Sequence, residues 1–476
     1  MEIMTSACCR KIVSVSLSKR FLGVSVAVVK RGISDDNAQS KNYDIIIAGG
    51  GMVGTAMACS LGRNRKFSNH KILLLEESPE KTWDLKPEYS NRVSALGAHS
   101  KMFLDSIGAW SHIEKARLKE VKKMQVWDAF SEAVITFNDE NLQDDIAYVV
   151  ENDVVMSAIN KQLKETNGPV ETIYKAKIKS FKLPSKSEYA KSGSVKVQLE
   201  DGTDFSCNLL IGADGANSRV RNAMGVNYLS WSYGQMGVVA TLKLSEPTNN
   251  IVAWQRFLPT GPIALLPLND ELSSLVWSTS TEDAKLLLDL DSESFVDYIN
   301  EALWKQYPIE KPVEAITKNL SSLLYNIFGP TAAAGARQLP PSVKCIVEGS
   351  KAAFPLGFGH STKYIGPGVA LIGDSAHRVH PLAGMGVNLG FGDVNCLQKK
   401  LSEAVHSGSE IGNPEYLLEY ETERQRHNFP RMVFIDALHK LYGTSFMPVV
   451  LLRSVGLQLT DALKPLKKVI MKRAGA

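Results

Sequence analysis

Three glycine-rich stretches hold the residues of this chain whose types and spacing suit chemistry. In the first, Gly49, Gly51 and Gly54 stand in G-x-G-x-x-G spacing behind the apolar run Asp44 to Ala48, and Thr55 to Leu61 reads as a helix. The first glycine permits a tight turn, the second lets backbone N–H groups approach a pyrophosphate, and the third lets helix pack on strand. A pyrophosphate there would sit at the positive end of the helix dipole. A second apolar run, Lys71 to Leu75, ends in Glu76, 22 residues beyond Gly54, where a carboxylate can accept the ribose hydroxyls of an adenosine. Strand, helix, second strand and terminal acid together read as a βαβ dinucleotide-binding unit; a lone glycine turn would not.

Arg92, in the loop region beyond the acidic strand end, is placed either to reach the pyrophosphate or to serve as a plain surface charge. The second stretch, Leu209 to Arg221, runs an apolar strand into Gly212, Asp214 and Gly215 and starts a helix at Ser218, with Arg219 and Arg221 read as exposed. It fits a ligand loop and a capped strand-to-helix turn equally well. The third runs from Val369 to Asp393: an apolar strand, then Gly373, Asp374, Ser375, Ala376 and His377, then His380-Pro-Leu-Ala-Gly-Met-Gly-Val-Asn388, with an amphipathic helix following to about Ala404. A carboxylate at the strand end suits a ribityl or ribose hydroxyl, and the helix start directs its dipole at negative charge. Asp374, His377 and His380 match no metal-ligand spacing, so no metal is expected.

The elements that must position these stretches follow from length and pattern. A chain of 476 residues, 44% apolar and 22% charged, supports two or three domains and a large core. Its charge of +4 is concentrated in residues 1–33, where six Lys and Arg face Glu2 alone, leaving about −1 for the rest and no nucleic-acid footprint. That leader, rich in Ser and Val and poor in acids, is composed like a mitochondrial presequence; Lys19 and Arg20 interrupt what would be the apolar core of a secretory signal. The longest apolar runs, such as Phe21 to Val29 and Phe446 to Leu452, are too short to cross a bilayer. Six cysteines without a C-x-x-C pair fit a reduced compartment.

Strands are expected at Met124 to Trp127, Ala133 to Phe137, 172 to 182, 194 to 199 and 204 to 211, with Gly202 turning the last two, and a helix at Asp153 to Glu165. From Val238 to Thr279 four long strands indicate one antiparallel sheet, whose aromatic residues Trp254, Phe257 and Trp277 are candidates for a substrate face or ordinary core. The resulting architecture is α/β, with an antiparallel sheet interleaved into a dinucleotide fold. The boundaries expected are a presequence and linker at 1–41, a discontinuous nucleotide domain at 42–232 plus 346–405, a substrate sheet domain at 233–345 and a helical region at 406–476. Tyr420, Arg424 and Asn428 share one helix face, a packing pattern. The tail carries Lys464, Lys467, Lys468, Lys472 and Arg473 among apolar residues and suits either an anionic membrane surface or solvent.

Taken together the three stretches resemble the single-component flavoprotein aromatic hydroxylases of the para-hydroxybenzoate hydroxylase fold, over residues 43 to 430. The finer resemblance is to the ubiquinone-biosynthesis hydroxylases. It rests on Trp254 to Leu268, His380-Pro-Leu-Ala-Gly384 and the Tyr420, Arg424, Asn428 helix. Met124-Gln-Val-Trp-Asp128 and Glu421-Thr-Glu-Arg-Gln-Arg-His-Asn428 point to the mitochondrial branch. Met385 departs from the family's usual Gln in H-P-L-A-G-Q-G.

The resemblance implies that Gly49, Gly51, Gly54, Glu76 and Arg92 hold the ADP half of FAD. It makes Asp214 and Gly215 the G-x-D-G loop, and sets Gly373 and Asp374 on the ribityl side. Pro381, Gly384, Gly386, Val387 and Asn388 would lie beside the isoalloxazine ring. It further implies hydroxylation at C5 of a polyprenylated 4-hydroxybenzoate-type phenol, through a C4a-hydroperoxyflavin formed with O2, with a later ring hydroxylation as a second candidate step. The resemblance to the mitochondrial subgroup also implies ferredoxin and ferredoxin reductase as the reductant, in place of directly bound NADPH, and the sequence pattern, with one dinucleotide fold, agrees with that. Peripheral contact with the matrix side of the mitochondrial inner membrane and a complex with other ubiquinone-biosynthesis proteins complete the expectation. No titratable pair declares itself a catalytic base. Alternatives are a reductase- or oxidase-type flavoprotein acting on a non-phenolic substrate, and a non-catalytic FAD-bound scaffold.

Overall fold

In a computed structural model of the chain, the described residues are 41–81, 85–131, 133–138, 144–189, 193–309, 311–328, 338–463, 465–467 and 470. The basic leader and tail residues Lys464, Lys468, Lys472 and Arg473 lie outside them. Lys41–Ala48, with Ile45, Ile46 and Ile47 fully buried, is flanked in parallel by Asp204–Gly212 and Ile72–Glu76 in a sheet of eight strands among the described residues. Val170–Tyr174 extends the parallel set beyond Ile72–Glu76, and Val369–Leu371 extends it beyond Asp204–Gly212. Parallel strands need both faces covered, which explains the unbroken apolar runs. The helices Met52–Arg63, Asn152–Glu165 and Gly386–His406 supply the cover, and their apolar residues join the same core.

The stretch expected as one strand at 172–182 is two, Val170–Tyr174 and Ile178–Lys182. Lys175 has φ 57, a left-handed conformation that breaks an extended strand. Polar-apolar alternation runs across that break, so pattern alone did not reveal it.

Among the described residues the second sheet has nine strands and is antiparallel except where Val252–Leu258 runs parallel to Lys123–Asp128. Its central strand Tyr228–Leu244 pairs with both Leu272–Ser280 and Ala352–Ser361. The boundary expected at 232 therefore cuts through a 17-residue strand. Lys123–Asp128, Val134–Asn138 and Ala352–Ser361, which the expected division puts with the nucleotide domain, pair here instead. Strand pairing between distant segments is a tertiary event that local pattern cannot register. Thr281–Asp289 and Ser292–Trp304 cover one face of this sheet, and Pro414–Tyr442 and Met447–Ala462 close the chain.

Candidate active site

A cavity of about 630 Å³ lies between the uncovered face of the second sheet and the third glycine-rich stretch. Val239, Ala253, Gln255, Ala264, Leu266 and Val276 form the sheet wall. Arg92, Asp374, Pro381, Gly384, Val387 and Asn388 form the opposite wall, so segments nearly 300 residues apart meet here. Small residues at 253 and 264 open the space, and among the described sheet residues lining it Gln255 and Ser278 supply the polar side chains.

The first stretch joins this wall through packing. A Cβ on Gly54 would lie 1.9 Å from the Gly49 carbonyl oxygen, and one on Gly49, itself at φ +106, would lie 2.5 Å from that of Ala213. Helix, glycine turn and second stretch touch backbone to backbone. Gly51 is different: a Cβ there would meet nothing within 4 Å, so protein packing does not require a glycine, and a ligand approaching the backbone would. The helix Met52–Arg63 starts with no side-chain cap and no acid in its first turn, leaving its N–H donors available. Glu76 is held at the strand end by Gly50 N–H at 2.6 Å and Ser78 N–H at 2.8 Å, with lone pairs to spare on each oxygen.

Ser375, which sequence reasoning did not single out, fastens the second stretch to the third. Its hydroxyl donates to Asp214 Oδ1 at 3.0 Å and accepts from Gly215 N–H at 3.0 Å. The other oxygen of Asp214 accepts from the N–H groups of Arg219 at 2.7 Å and Val220 at 3.1 Å, so this carboxylate both caps a helix and joins two loops. Arg221, expected to be exposed, is buried: its guanidinium donates to the carbonyls of Ser375 at 2.8 Å and Ala216 at 2.8 Å and lies over the Tyr228 ring. The carbonyls released by the glycine-rich turns need donors, and a planar guanidinium can serve two at once.

Asn388 ties the flank of the cavity together. Its amide donates to the carbonyls of Ala95 at 2.8 Å and Gly384 at 3.0 Å, and its oxygen accepts from Gly97 N–H at 3.0 Å and Ser100 Oγ at 2.6 Å. One turn on, the fully buried Asp393 accepts from Gly373 N–H at 2.9 Å, Arg424 Nε at 2.7 Å and Asn428 Nδ2 at 3.0 Å, and His377 Nε2 lies 2.6 Å from it. Burial alone would push this carboxyl up; the adjacent His377 and Arg424, with hydrogen bonds from His377 and Asn428, outweigh it and hold it well below the ordinary carboxylate range. Tyr420 Oη donates to the Leu371 carbonyl at 2.7 Å. The Tyr420, Arg424, Asn428 face thus locks the helix Pro414–Tyr442 onto the third stretch.

His377 and His380 are engaged elsewhere than with Asp374. His380 Nδ1 accepts from Leu382 N–H at 3.1 Å, and burial, with His439 nearby, pushes its pKa down to about 3, so the ring is neutral. Among the described residues no group of three or more His, Cys, Asp or Glu could hold a metal ion. Asp374 faces the cavity, where the surrounding protein raises its carboxyl against the pull of His377 and Arg378.

Comparison with known proteins matches the family of FAD binding domains over residues 42–306 and 351–431. "Ubiquinone biosynthesis monooxygenase COQ6, mitochondrial" of Xenopus tropicalis is 53% identical over 434 residues, covering 90% of this chain and 92% of the relative. The protein of that name in Homo sapiens is 51% identical over 431 residues, with coverage of 90% and 92%. The chain belongs to the ubiquinone biosynthesis monooxygenase family. It is an FAD-dependent monooxygenase of ubiquinone biosynthesis, and its compartment is the mitochondrion. Among solved structures, PqsL of Pseudomonas aeruginosa, a probable FAD-dependent monooxygenase, has a TM-score of 0.63 at 18% identity, covering 87% of this chain and 100% of that one. p-Nitrophenol 4-monooxygenase PnpA of Pseudomonas putida has a TM-score of 0.64 at 15% identity, covering 92% and 99%. These two share the fold.

The residues of this family member fit FAD. The open backbone at Gly51, the uncapped helix start beside it and the carboxylate of Glu76 match pyrophosphate and ribose. The helix Gly386–His406 likewise begins with neither a side-chain cap nor an acid in its first turn, and Val387 opens onto the cavity.

The aromatic candidates for a substrate face do not reach the cavity. Trp254 and Trp277 point to the other face of the sheet and pack in the core beneath Ser292–Trp304, with the Trp254 ring set edge-on to Trp127 at 6.4 Å. Successive strand residues face opposite ways, so lining by Ala253 and Gln255 excludes Trp254. Phe257 is on the cavity's side of the strand but is stacked on Tyr442 at 3.7 Å. The period-2 pattern of Val252–Leu258 held this information once one lining residue was known. Trp254→Phe is expected to cost about 1–3 kcal/mol of stability, measured by denaturant titration, with KM for substrate unchanged.

Proposed function

We propose that this enzyme hydroxylates ring C5 of a polyprenylated 4-hydroxybenzoate-type phenol, working peripherally on the matrix side of the mitochondrial inner membrane. The observation that carries this reading is the cavity, with an apolar sheet wall facing the glycine-rich wall that would hold FAD. Gly49, Gly51, Gly54, Glu76 and Arg92 would take the ADP half, with Asp374 and Gly373 at the ribityl chain. Asp214 and Gly215 would shape the loop between them, and Pro381, Gly384, Gly386, Val387 and Asn388 would border the ring. FAD, when bound, supplies the activation of O2, one atom of which is transferred to the phenol.

The chain's own residues contribute position and environment. Ala253, Ala264, Leu266 and Val276 present a flat apolar surface against which an aromatic ring can lie, and the same residues keep water from the reacting face. The start of Gly386–His406, with its partial positive charge of about half a unit, would stabilise negative charge on a reduced cofactor bound beside it. Asn388 and Asp393 hold that helix start in register with the loops at Gly97 and Gly373. Electrons would arrive from ferredoxin and its reductase, within an assembly of ubiquinone-biosynthesis proteins.

The test is a visible spectrum of the purified protein followed by anaerobic reduction with ferredoxin plus reductase, and separately with NADPH. Flavin absorbance bleached by the ferredoxin system, then oxygen uptake that requires the phenol and yields a C5-hydroxylated product, is the expected result. A chain that binds FAD yet consumes no oxygen with any prenylated phenol would defeat the proposal.

A further inference from the structure

The helix Met447–Ala462 is built inside out. Its two charged residues face the protein: Arg453 is 2% exposed and pairs with Asp128 at 2.8 Å, and Asp461 is 4% exposed and pairs with Lys467 at 3.1 Å. Its outward positions are Pro448, Leu452, Gly456 and Leu459, spaced as one stripe, with Leu452 66% exposed. The neighbouring helix Lys311–Phe328 packs on it, Gln458 donating to the Thr317 carbonyl at 3.3 Å and to Ser321 Oγ at 3.0 Å. That helix also carries an exposed apolar row, Ile316, Leu323 and Ile327, the last two 54% and 60% exposed. A helix bathed in water places charge outward and leucine inward. Two adjacent helices that leave leucine and isoleucine outward mark a surface meant to be covered.

We infer that this paired-helix face is a docking surface for an anionic lipid bilayer. Three observations favour a bilayer over a protein. The outward positions 448, 452, 456 and 459 carry no charge with which a protein partner could be selected. Beyond Asp461 the sequence holds, besides the Asp461-paired Lys467, the cations Lys464, Lys468, Lys472 and Arg473 with no acid, the complement of anionic headgroups. Ile470, from the same segment, lines the cavity, so the entrance for a water-insoluble substrate adjoins the face. The inference deepens the peripheral membrane placement proposed above by naming the surface; its last point rests also on the proposed substrate, and the first two do not. No helix of the described residues is long and apolar enough to cross a membrane, so the contact is with the surface.

The test uses the full-length, FAD-loaded protein and flotation with phosphatidylcholine vesicles, with or without phosphatidylglycerol. The wild type is expected to float with the anionic vesicles. The doubly substituted Leu452→Asp, Leu459→Asp protein is expected to partition roughly tenfold or more less, as is Leu323→Asp with Ile327→Asp. Leu418→Asp, at an exposed leucine on another helix, should float like the wild type. Turnover of a short-tailed, water-soluble phenol should be equal in all four, while turnover of a long-tailed phenol dissolved in vesicles should fall with partitioning. Equal flotation of wild type and variants overturns the inference, and so does a wild type that is dimeric in solution and made monomeric by these substitutions. Flotation is read without turnover, so a failure of the proposed chemistry leaves a separate result.

Discussion

Purified Gly54→Ala protein is expected to be colourless. A methyl group there falls 1.9 Å from the Gly49 carbonyl oxygen and 3.0 Å from the Ala213 side chain, and the first of these is backbone that cannot swing aside. Either the glycine turn opens or the helix Met52–Arg63 shifts outward, and both move the N–H groups that would face the pyrophosphate. Overpacking of this kind costs about 1–3 kcal/mol or more of stability, and FAD occupancy should fall at least roughly tenfold. Gly51→Ala separates the two effects. No atom lies within 4 Å of the added methyl, so the apo protein should melt like wild type while its FAD affinity drops. The measurement pairs thermal melting of the apo forms with titration of FAD fluorescence. If Gly51→Ala bound FAD as tightly as wild type, the assignment of this loop to the pyrophosphate would fail.

Asp393→Asn is expected to cost about 3–5 kcal/mol, the range for breaking a buried ion pair by removing one partner. The carboxylate serves the Gly373 amide, His377, Arg424 and Asn428 at once. An amide in its place turns two acceptor oxygens into one, and leaves Arg424 charged in a buried site without its counterion. FAD should leak from the variant, because the Gly373 loop and the helix at Gly386 lose their common anchor. The pH dependence has a definite sign. Since the native Asp393 pKa is depressed, its contribution is present above the unfolded value, near 3.9, and is lost as pH falls toward the native one. The stability gap between wild type and variant, followed by urea unfolding, should therefore be constant near neutrality and narrow below about pH 4. A constant gap across that range would mean that the lost charge was not the cause.

Both predictions concern places where the sequence was only partly legible. The G-x-G-x-x-G run and Glu76 announced themselves because the turn, the dipole and the terminal acid act within one local βαβ unit. The third stretch was legible for the same reason, since its glycines and its helix start are contiguous. Asp393 stood at the end of that stretch without a role: it sits inside an ordinary amphipathic helix, and only its partners at 373, 377, 424 and 428 show what it does. Ser375 and Arg221 escaped likewise. A serine after Gly-Asp and an arginine in the first turn of a short helix have no distinctive spacing, and their significance is that two loops from different strands need a shared donor or acceptor.

The substrate side shows the limit most clearly. Trp254 and Trp277 attracted attention as large aromatic residues in a strand-rich segment, yet small Ala253 and Ala264 make the cavity by leaving room. Which face of a strand meets water, ligand or helix depends on what packs against it, and Ser292–Trp304 claimed the tryptophan face.

By itself, the amino-acid order determined where nucleotide chemistry sits: glycines at 49, 51 and 54, an acid at 76 and uncapped helix starts are local devices, set by backbone sterics and dipoles that need no distant partner. Only the tertiary structure decided which sheet the strands at 123–138 and 352–361 join, which side of the sheet faces the glycine-rich wall, and which buried charge holds the Gly373 loop and the helix Pro414–Tyr442 in one place. Those outcomes rest on contacts across hundreds of residues, whose free energy exists only once the chain has closed on itself.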